Sequence, residues 1–134
     1  AEELNISNFT FVEPQTKDKM PKIWSSADMA IIPLKGYIPG AVPSKLYEVM
    51  ASGVPVVMIA KGEPVEIVNS CNCGIAVQPD DIDGIVDAIK TLVANKNLRK
   101  TMGKNGLSEV KNKYNRQNIL NRFHKYLEDK IVHY

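Results

Sequence analysis

Cysteine is scarce in this chain: Cys71 and Cys73 are the only two in 134 residues. Two thiols one residue apart cannot build a disulfide framework, and so sparing a use fits a reducing compartment. No second pair stands at zinc-ligand spacing, so no metal site is expected. Charge of one sign is also lacking, since 17 Lys and Arg against 15 Asp and Glu leave a net +2. A nucleic-acid module or a basic membrane anchor carries a clustered cationic excess, and neither is expected here. Apolar runs are short: the longest, Val54–Ala60, falls well below the roughly 20 residues that cross a bilayer. No basic stretch followed by an apolar one opens the sequence, which therefore gives no sign of export. The glycosylation-like triplets at Asn5 and Asn8 are then expected to be chance matches, and the expected location is cytoplasmic. Gly and Pro are too few for a collagenous or low-complexity chain.

What is present is alternation. Asn8–Val12 is short, aromatic and β-branched, and Pro14 stops it, which predicts a strand. Residues 17–27 place Met20, Ile23, Trp24 and Ala27 at helical spacing, with Pro21 in the first turn. Met29–Leu34 is an unbroken apolar run, the mark of a strand covered on both faces. A Gly- and Pro-bearing loop over 36–42 leads to a helix over 43–52 that Gly53 closes. Val54–Ala60 predicts another buried strand, residues 65–70 a short helix, and Gly74–Val77 a final strand.

Beyond Pro79 the period changes to helix throughout. Asp80 or Asp81 can cap a helix whose stripe is Ile82, Ile85, Val86, Ile89, Leu92 and Val93. Asn97 can cap a second helix to about Lys113, and a third runs from about Asn115 to Lys130. Strands alternating with helices read as βαβ units on a parallel sheet, with helices on both faces. The expected architecture is α/β: a Rossmann-like parallel sheet of about four strands, flanked by helices, with an all-helical C-terminal tail. Residues 1–134 form one domain in this reading, 8–79 as the α/β core and 80–134 as the tail.

In such folds ligands bind beyond the carboxyl ends of strands. The segment there is Leu34–Glu48, where a strand ends, a loop follows and a helix starts at Ser44. A helix N-terminus offers free N–H groups and a positive dipole end to an anion. Gly36 and Gly40 let backbone approach a ligand, Ser44 adds a hydroxyl, and Lys45 adds a charge suited to phosphate. Glu48 lies one turn on, where its carboxylate can accept bonds from the vicinal hydroxyls of a sugar. Read alone, the same residues also describe an ordinary loop-to-helix junction with an exposed Lys45–Glu48 pair.

Five blocks occur in a fixed order: Ala27–Leu34, Pro43-Ser-Lys-Leu-Tyr-Glu-Val-Met-Ala-Ser-Gly-Val-Pro-Val-Val57, Glu66–Val68, Gly74–Pro79 and Leu98–Gly103. This series resembles the C-terminal part of family-four, nucleotide-sugar-dependent glycosyltransferases of GT-B fold, in their Pro-Ser-Lys subgroup. The resemblance runs from about Asn8 to Phe123. It implies one half of a GT-B fold, the half that holds a nucleotide-diphosphate sugar as donor substrate, with no cofactor or metal beyond it. It further implies a retaining hexosyl transfer to a polysaccharide, lipid-linked or other glycoconjugate acceptor. By resemblance Glu48 meets the donor ribose, Ser44 and Lys45 stand beside the diphosphate, and Gly36, Tyr37 and Gly40 lie on the loop near the donor sugar. Glu66 matches a conserved helix start at the cleft. The first glutamate of the family's Glu-x7-Glu motif is replaced by Gly40, and the basic residues of the first strands find no match.

A GT-B transfer needs both walls of its cleft to place two substrates and exclude water. The chain is therefore expected to be a fragment, inactive without an N-terminal domain, which in the full-length protein can sit at the inner face of a membrane. No catalytic residue is assignable. The alternatives are a non-catalytic α/β binding module and half of a GT-B nucleotide-sugar epimerase. Among the remaining residues, Glu63 and Glu66 suit either the cleft or the favourable first turn of a helix. His124 and His133 have no local constellation. The last helix, with Phe123, Tyr126 and Ile131, is expected to promote self-association if nothing covers it.

Overall fold

The computed structural model describes residues 6–131. Asn5 and His133 lie outside them. Nine elements follow in order: α1 (Met20–Ser25), β1 (Ala30–Pro33), α2 (Ser44–Ala51), β2 (Val56–Ile59), α3 (Glu63–Cys71), β3 (Gly74–Val77), α4 (Ile82–Ala94), α5 (Lys96–Asn112) and α6 (Arg116–Ile131). The strands form one parallel sheet in the order β1-β2-β3, with Ala30 opposite Val56 and Val56 opposite Gly74.

Strand alternation sorts the core into two layers. Ala30, Ile32, Val56 and Met58 point to the side where α2 and α3 pack with Leu46, Val49, Met50, Val68 and Cys71. Val57 and Val77 point to the other side, against Ala88 and Leu92 of α4 and Met102 of α5. Residues β2 contributes to both layers are buried, as expected of a central parallel strand.

The sheet has three strands among the described residues rather than four. Asn8–Val12 forms no strand and pairs with none, and Phe11 is 82% exposed. A β-branched, aromatic segment becomes a strand only with a ladder partner and a covering layer, and this one has neither. For the same reason β1 is not covered on both faces. It alternates buried and exposed, and Ile31 is 46% exposed because α4 reaches only β2 and β3. Ala30 and Leu34 donate to Pro55 and Ile59, so the intervening Ile31 and Pro33 face the open edge, where Pro33 has no N–H to leave unpaired.

The helical C-terminal part is less a tail than a clamp. Asp81 accepts from the Gly84 N–H and caps α4. Asn95, rather than Asn97, accepts from the Leu98 N–H and caps α5. Asn97 lies inside the first turn, because the chain reverses directly after Ala94. Arg99 donates to the Leu92 and Val93 carbonyls at the end of α4 and pairs with Asp28 at 3.3 Å. Asn105 donates to the Asn72 carbonyl at the αL cap of α3. Of the predicted α4 stripe, Leu92 is fully buried and Ile85 and Ile89 are half-buried, while Ile82, Val86 and Val93 stay exposed.

Helix α5 approaches the rest of the molecule through glycines. A Cβ at Gly103 would stand 2.0 Å from the Gly53 carbonyl oxygen, in the turn between α2 and β2. Helix α6 differs: no residue of it is buried, and Phe123, Tyr126, Leu127 and Ile131 form an exposed apolar stripe. No described helix is long and apolar enough to cross a membrane. Backbone cannot yield as a side-chain tip can, so Gly103→Ala should cost about 1–3 kcal/mol in urea unfolding. Gly36→Ala, with open space around it, should stay within about 0.5 kcal/mol. An unchanged midpoint for Gly103→Ala would show that α5 does not pack this way.

Candidate functional site

Strands β1 and β2 run in the same direction and in register, so their carboxyl ends stand side by side at Pro33 and Ile59. The loops leaving those ends carry the chain to the N-termini of α2 and α3. Both helix starts therefore meet at the rim where α/β sheets bind ligands.

Helix α2 starts without a cap. Pro43 precedes it in extended conformation, no side chain accepts from its first turn, and the first turn holds no acid. The N–H groups of Ser44 and Lys45 have no acceptor among the described residues, whereas Leu46 donates to the Pro43 carbonyl. Helices α4 and α5 are capped by Asp81 and Asn95, and Asn115 accepts from the first turn of α6. Helix α3 answers its dipole with Glu63 and Glu66. The positive end of α2, like that of the short α1, is left open, and at the rim it is suited to an anion.

Beside it lies a cleft of about 500 Å³ lined by Ser44, Glu48, Ala51 and Ser52 of α2 and by Lys17, Met20, Pro21 and Trp24. That volume falls in the range of small-molecule sites. Ser44 and Glu48 come together on one face of α2, as the four-residue spacing predicts. The opposite wall is α1, whose Met20, Ile23 and Trp24 at helical spacing suit a core or a partner surface and by themselves give no sign of a ligand site. Trp24 is half-buried and packs against the core on one side while lining the cleft on the other, and no residue of α1 is fully buried. The Trp24 indole N–H is sealed from water without an acceptor, which costs about 1–3 kcal/mol until one is supplied. Lys45 sits on an adjoining groove with Pro33, Leu34, Pro43, Ser44 and Trp24.

The other predicted residues gather at a second point. Gly40, at φ +76°, donates its N–H to Glu63 Oε1 at 2.9 Å. Tyr37 packs its ring on Gly62, where a Cβ would come within 2.2 Å of the ring. The loop is thereby fastened to the start of α3 at two places. Gly36 is different: it has an ordinary φ and open space, so no glycine is required there. Glu66 is exposed and its carboxylate accepts no hydrogen bond among the described residues. Glu48, Ser44 and Lys45 are exposed as well, accessible to a ligand.

The sequence of blocks along this rim has a family counterpart. Residues 1–109 match the model of the glycosyl transferases group 1 family. The chain belongs to that family. Among curated proteins, it is 43% identical over 65 residues to sucrose-phosphate synthase of Zea mays. It is 45% identical over 65 residues to probable sucrose-phosphate synthase 1 of Oryza sativa subsp. indica and to sucrose-phosphate synthase 4 of Arabidopsis thaliana. Each match covers 48% of this chain and 6% of the relative, so the chain spans a small part of those proteins. The three-stranded parallel sheet with its flanking helices accords with half of a GT-B glycosyltransferase fold.

The cysteines lie away from the rim. Cys71 and Cys73 are free and buried at the α3–β3 junction. Burial, and secondarily Cys71 nearby, pushes the Cys73 thiol up to about 12. A thiol so held is neutral at physiological pH and is neither a nucleophile nor a ready metal ligand. Among the described residues no three His, Cys, Asp or Glu side chains are grouped to hold a metal ion. His124 pairs with Glu128 at 3.6 Å on the exposed α6, far along the chain from the rim.

Proposed function

We propose that this chain is the nucleotide-sugar-binding part of a retaining glycosyltransferase, acting in the cytoplasm on a sugar, polysaccharide or other glycoconjugate acceptor. The observation that carries the reading is the uncapped start of α2 above the cleft that Ser44 and Glu48 share with α1. In this reading the donor's diphosphate takes the free N–H groups of Ser44 and Lys45, with the Lys45 ammonium beside it. As the glycosidic bond to the diphosphate breaks, negative charge builds on the leaving oxygens. Fixed donors and a helix dipole already aimed at that position stabilise the charge without reorganising. Glu48, one turn further and facing the cleft, accepts hydrogen bonds from the two ribose hydroxyls. The base then lies toward Met20, Pro21 and Trp24, an apolar wall suited to a flat ring.

Both substrates of a transfer must be enclosed for it to proceed. In this reading the acceptor's site and the second wall belong to a further domain of the same enzyme. These 134 residues by themselves bind a donor without transferring its sugar. The exposed stripe of α6 has a separate consequence: in the isolated chain it brings two copies together.

Calorimetric titration with UDP, GDP and ADP tests the donor reading. One diphosphate should bind at roughly millimolar strength, about −4 kcal/mol. Lys45→Ala should weaken it a few-fold and Glu48→Ala about tenfold. Binding that neither substitution alters, or sugar transfer above a Glu48→Ala background, would contradict the reading. For α6, the size-exclusion elution volume should fall as loading concentration rises and stop doing so in Phe123→Glu. A monomer at every concentration would refute self-association.

A further inference from the structure

A second concavity lies at the amino ends of the strands, across the sheet from the rim. It is a groove of about 200 Å³ between Ser25 at the end of α1, Ser52 and Gly53 after α2, and Lys96, Arg99 and Lys100 on α5. Three cations there meet a single carboxylate, that of Asp28, which already pairs with Arg99 at 3.3 Å. Their placement runs against helix electrostatics. The first turn of α5 holds no acid, although basic residues are disfavoured at the positive end of a helix. Lys96 and Lys100 stand four residues apart, a spacing at which like charges repel. Neither pairs with an acid among the described residues. A local rule broken with no return inside the fold marks a functional position. Arg99, by contrast, is held in place: its Nη1 donates to the Leu92 and Val93 carbonyls and its side chain is only 15% exposed. Its Nε–H and one Nη2 N–H keep no acceptor among the described residues.

We propose that this groove is a second binding site, separate from the donor cleft, for a small soluble phosphate: inorganic phosphate or a short phosphomonoester. The phosphate dianion bridges the Lys96 and Lys100 ammonium groups and takes the remaining N–H groups of Arg99, whose planar guanidinium suits phosphate oxygens. Bound there, it relieves the repulsion between the two lysines. The serines narrow the ligand class. Ser25 Oγ donates to the Lys22 carbonyl and Ser52 Oγ to the Glu48 carbonyl, so both present lone pairs to the groove rather than protons. They accept from a hydroxyl, which a phosphomonoester of a polyol carries and a singly protonated phosphate also has. The volume sets the upper size. It lies below the roughly 300 Å³ at which sites for larger ligands begin, so it takes a phosphate with a few carbon atoms and leaves out a nucleotide.

The test titrates the nitrogen-15-labelled chain with sodium phosphate and, separately, with glycerol 3-phosphate, at an ionic strength held constant with sodium chloride. Saturable amide shifts should appear at Gly53, Val54, Lys96, Arg99 and Lys100, with a Kd of about 1 mM. The double variant Lys96→Gln, Lys100→Gln changes two exposed side chains to good helix formers, and a thermal melt establishes that it is folded. It should weaken binding about tenfold or more. Lys45→Ala, at the donor cleft, should leave the Kd within about twofold, so this result stands apart from the fate of the donor reading. Shifts that chloride alone reproduces, or that never saturate, mean counter-ion screening and overturn the proposal. Phosphate shifts confined to Ser44–Leu46, or a Kd that the double variant leaves unchanged, overturn it as well. Sedimentation with phosphatidic acid vesicles in place of soluble binding would assign the phosphate to a lipid headgroup and overturn the small-ligand site.

Discussion

Three strands hydrogen-bonded in parallel impose one constraint from which the rest follows. A parallel pair cannot be closed by a tight turn, so each connection must travel back along the sheet, here on a helix. Helices α2 and α3 therefore both begin at the carboxyl ends of β1 and β2, and both point their positive ends at one rim. The register that sets Pro33 beside Ile59 also sets the two loops beside each other. That is why Gly40 and Tyr37, on one loop, reach Glu63 and Gly62 on the next. Binding chemistry at the rim is a product of strand direction before it is a product of any one side chain.

Helix starts that share a rim share an electrostatic problem, and the chain resolves it unequally. The start of α3 carries two acids, while the start of α2 carries none and is left uncapped. A cap is worth about 1 kcal/mol, and without one the first N–H groups of α2 stay open. The arrangement separates charge along the crevice: a positive pole at Ser44 and Lys45, a negative one at Glu63. At the opposite end of the sheet α5 comes into backbone contact at Gly103, and Gly106 sits against Met50 and Cys73 with no space for a methyl group to spare.

How much of this was legible depended on how local its cause was. The helix over 43–52, the strand at 74–77 and a cap at Asp80 or Asp81 came from periodicity and turn chemistry that act within a few residues, and Asp81 is the one that caps. The supposed strand at 8–12 has the right residue types but no neighbour to pair with, and pairing is not a local property. The open face of β1 is the same omission seen from the other side. At the site, Ser44 and Glu48 were legible because helical spacing alone puts them on one face. The α1 wall was not, because a Trp and a Met at that spacing look alike whether they face a core or a cleft. The Glu63–Gly40 bond joins residues 23 apart through sheet register, which sequence spacing does not display.

The central claim is that the uncapped start of α2 is where this domain meets its ligand. Amide chemical-shift mapping on the nitrogen-15-labelled chain, titrated with UDP, GDP and ADP in turn, addresses that claim residue by residue. One of the three should move the amide signals of Ser44, Lys45 and Leu46 most, followed by those of residues 17–24 along the α1 wall, and should leave α5 still. If every diphosphate leaves the start of α2 unmoved, or if the largest shifts fall on another part of the molecule, the proposed donor site is not at the start of α2.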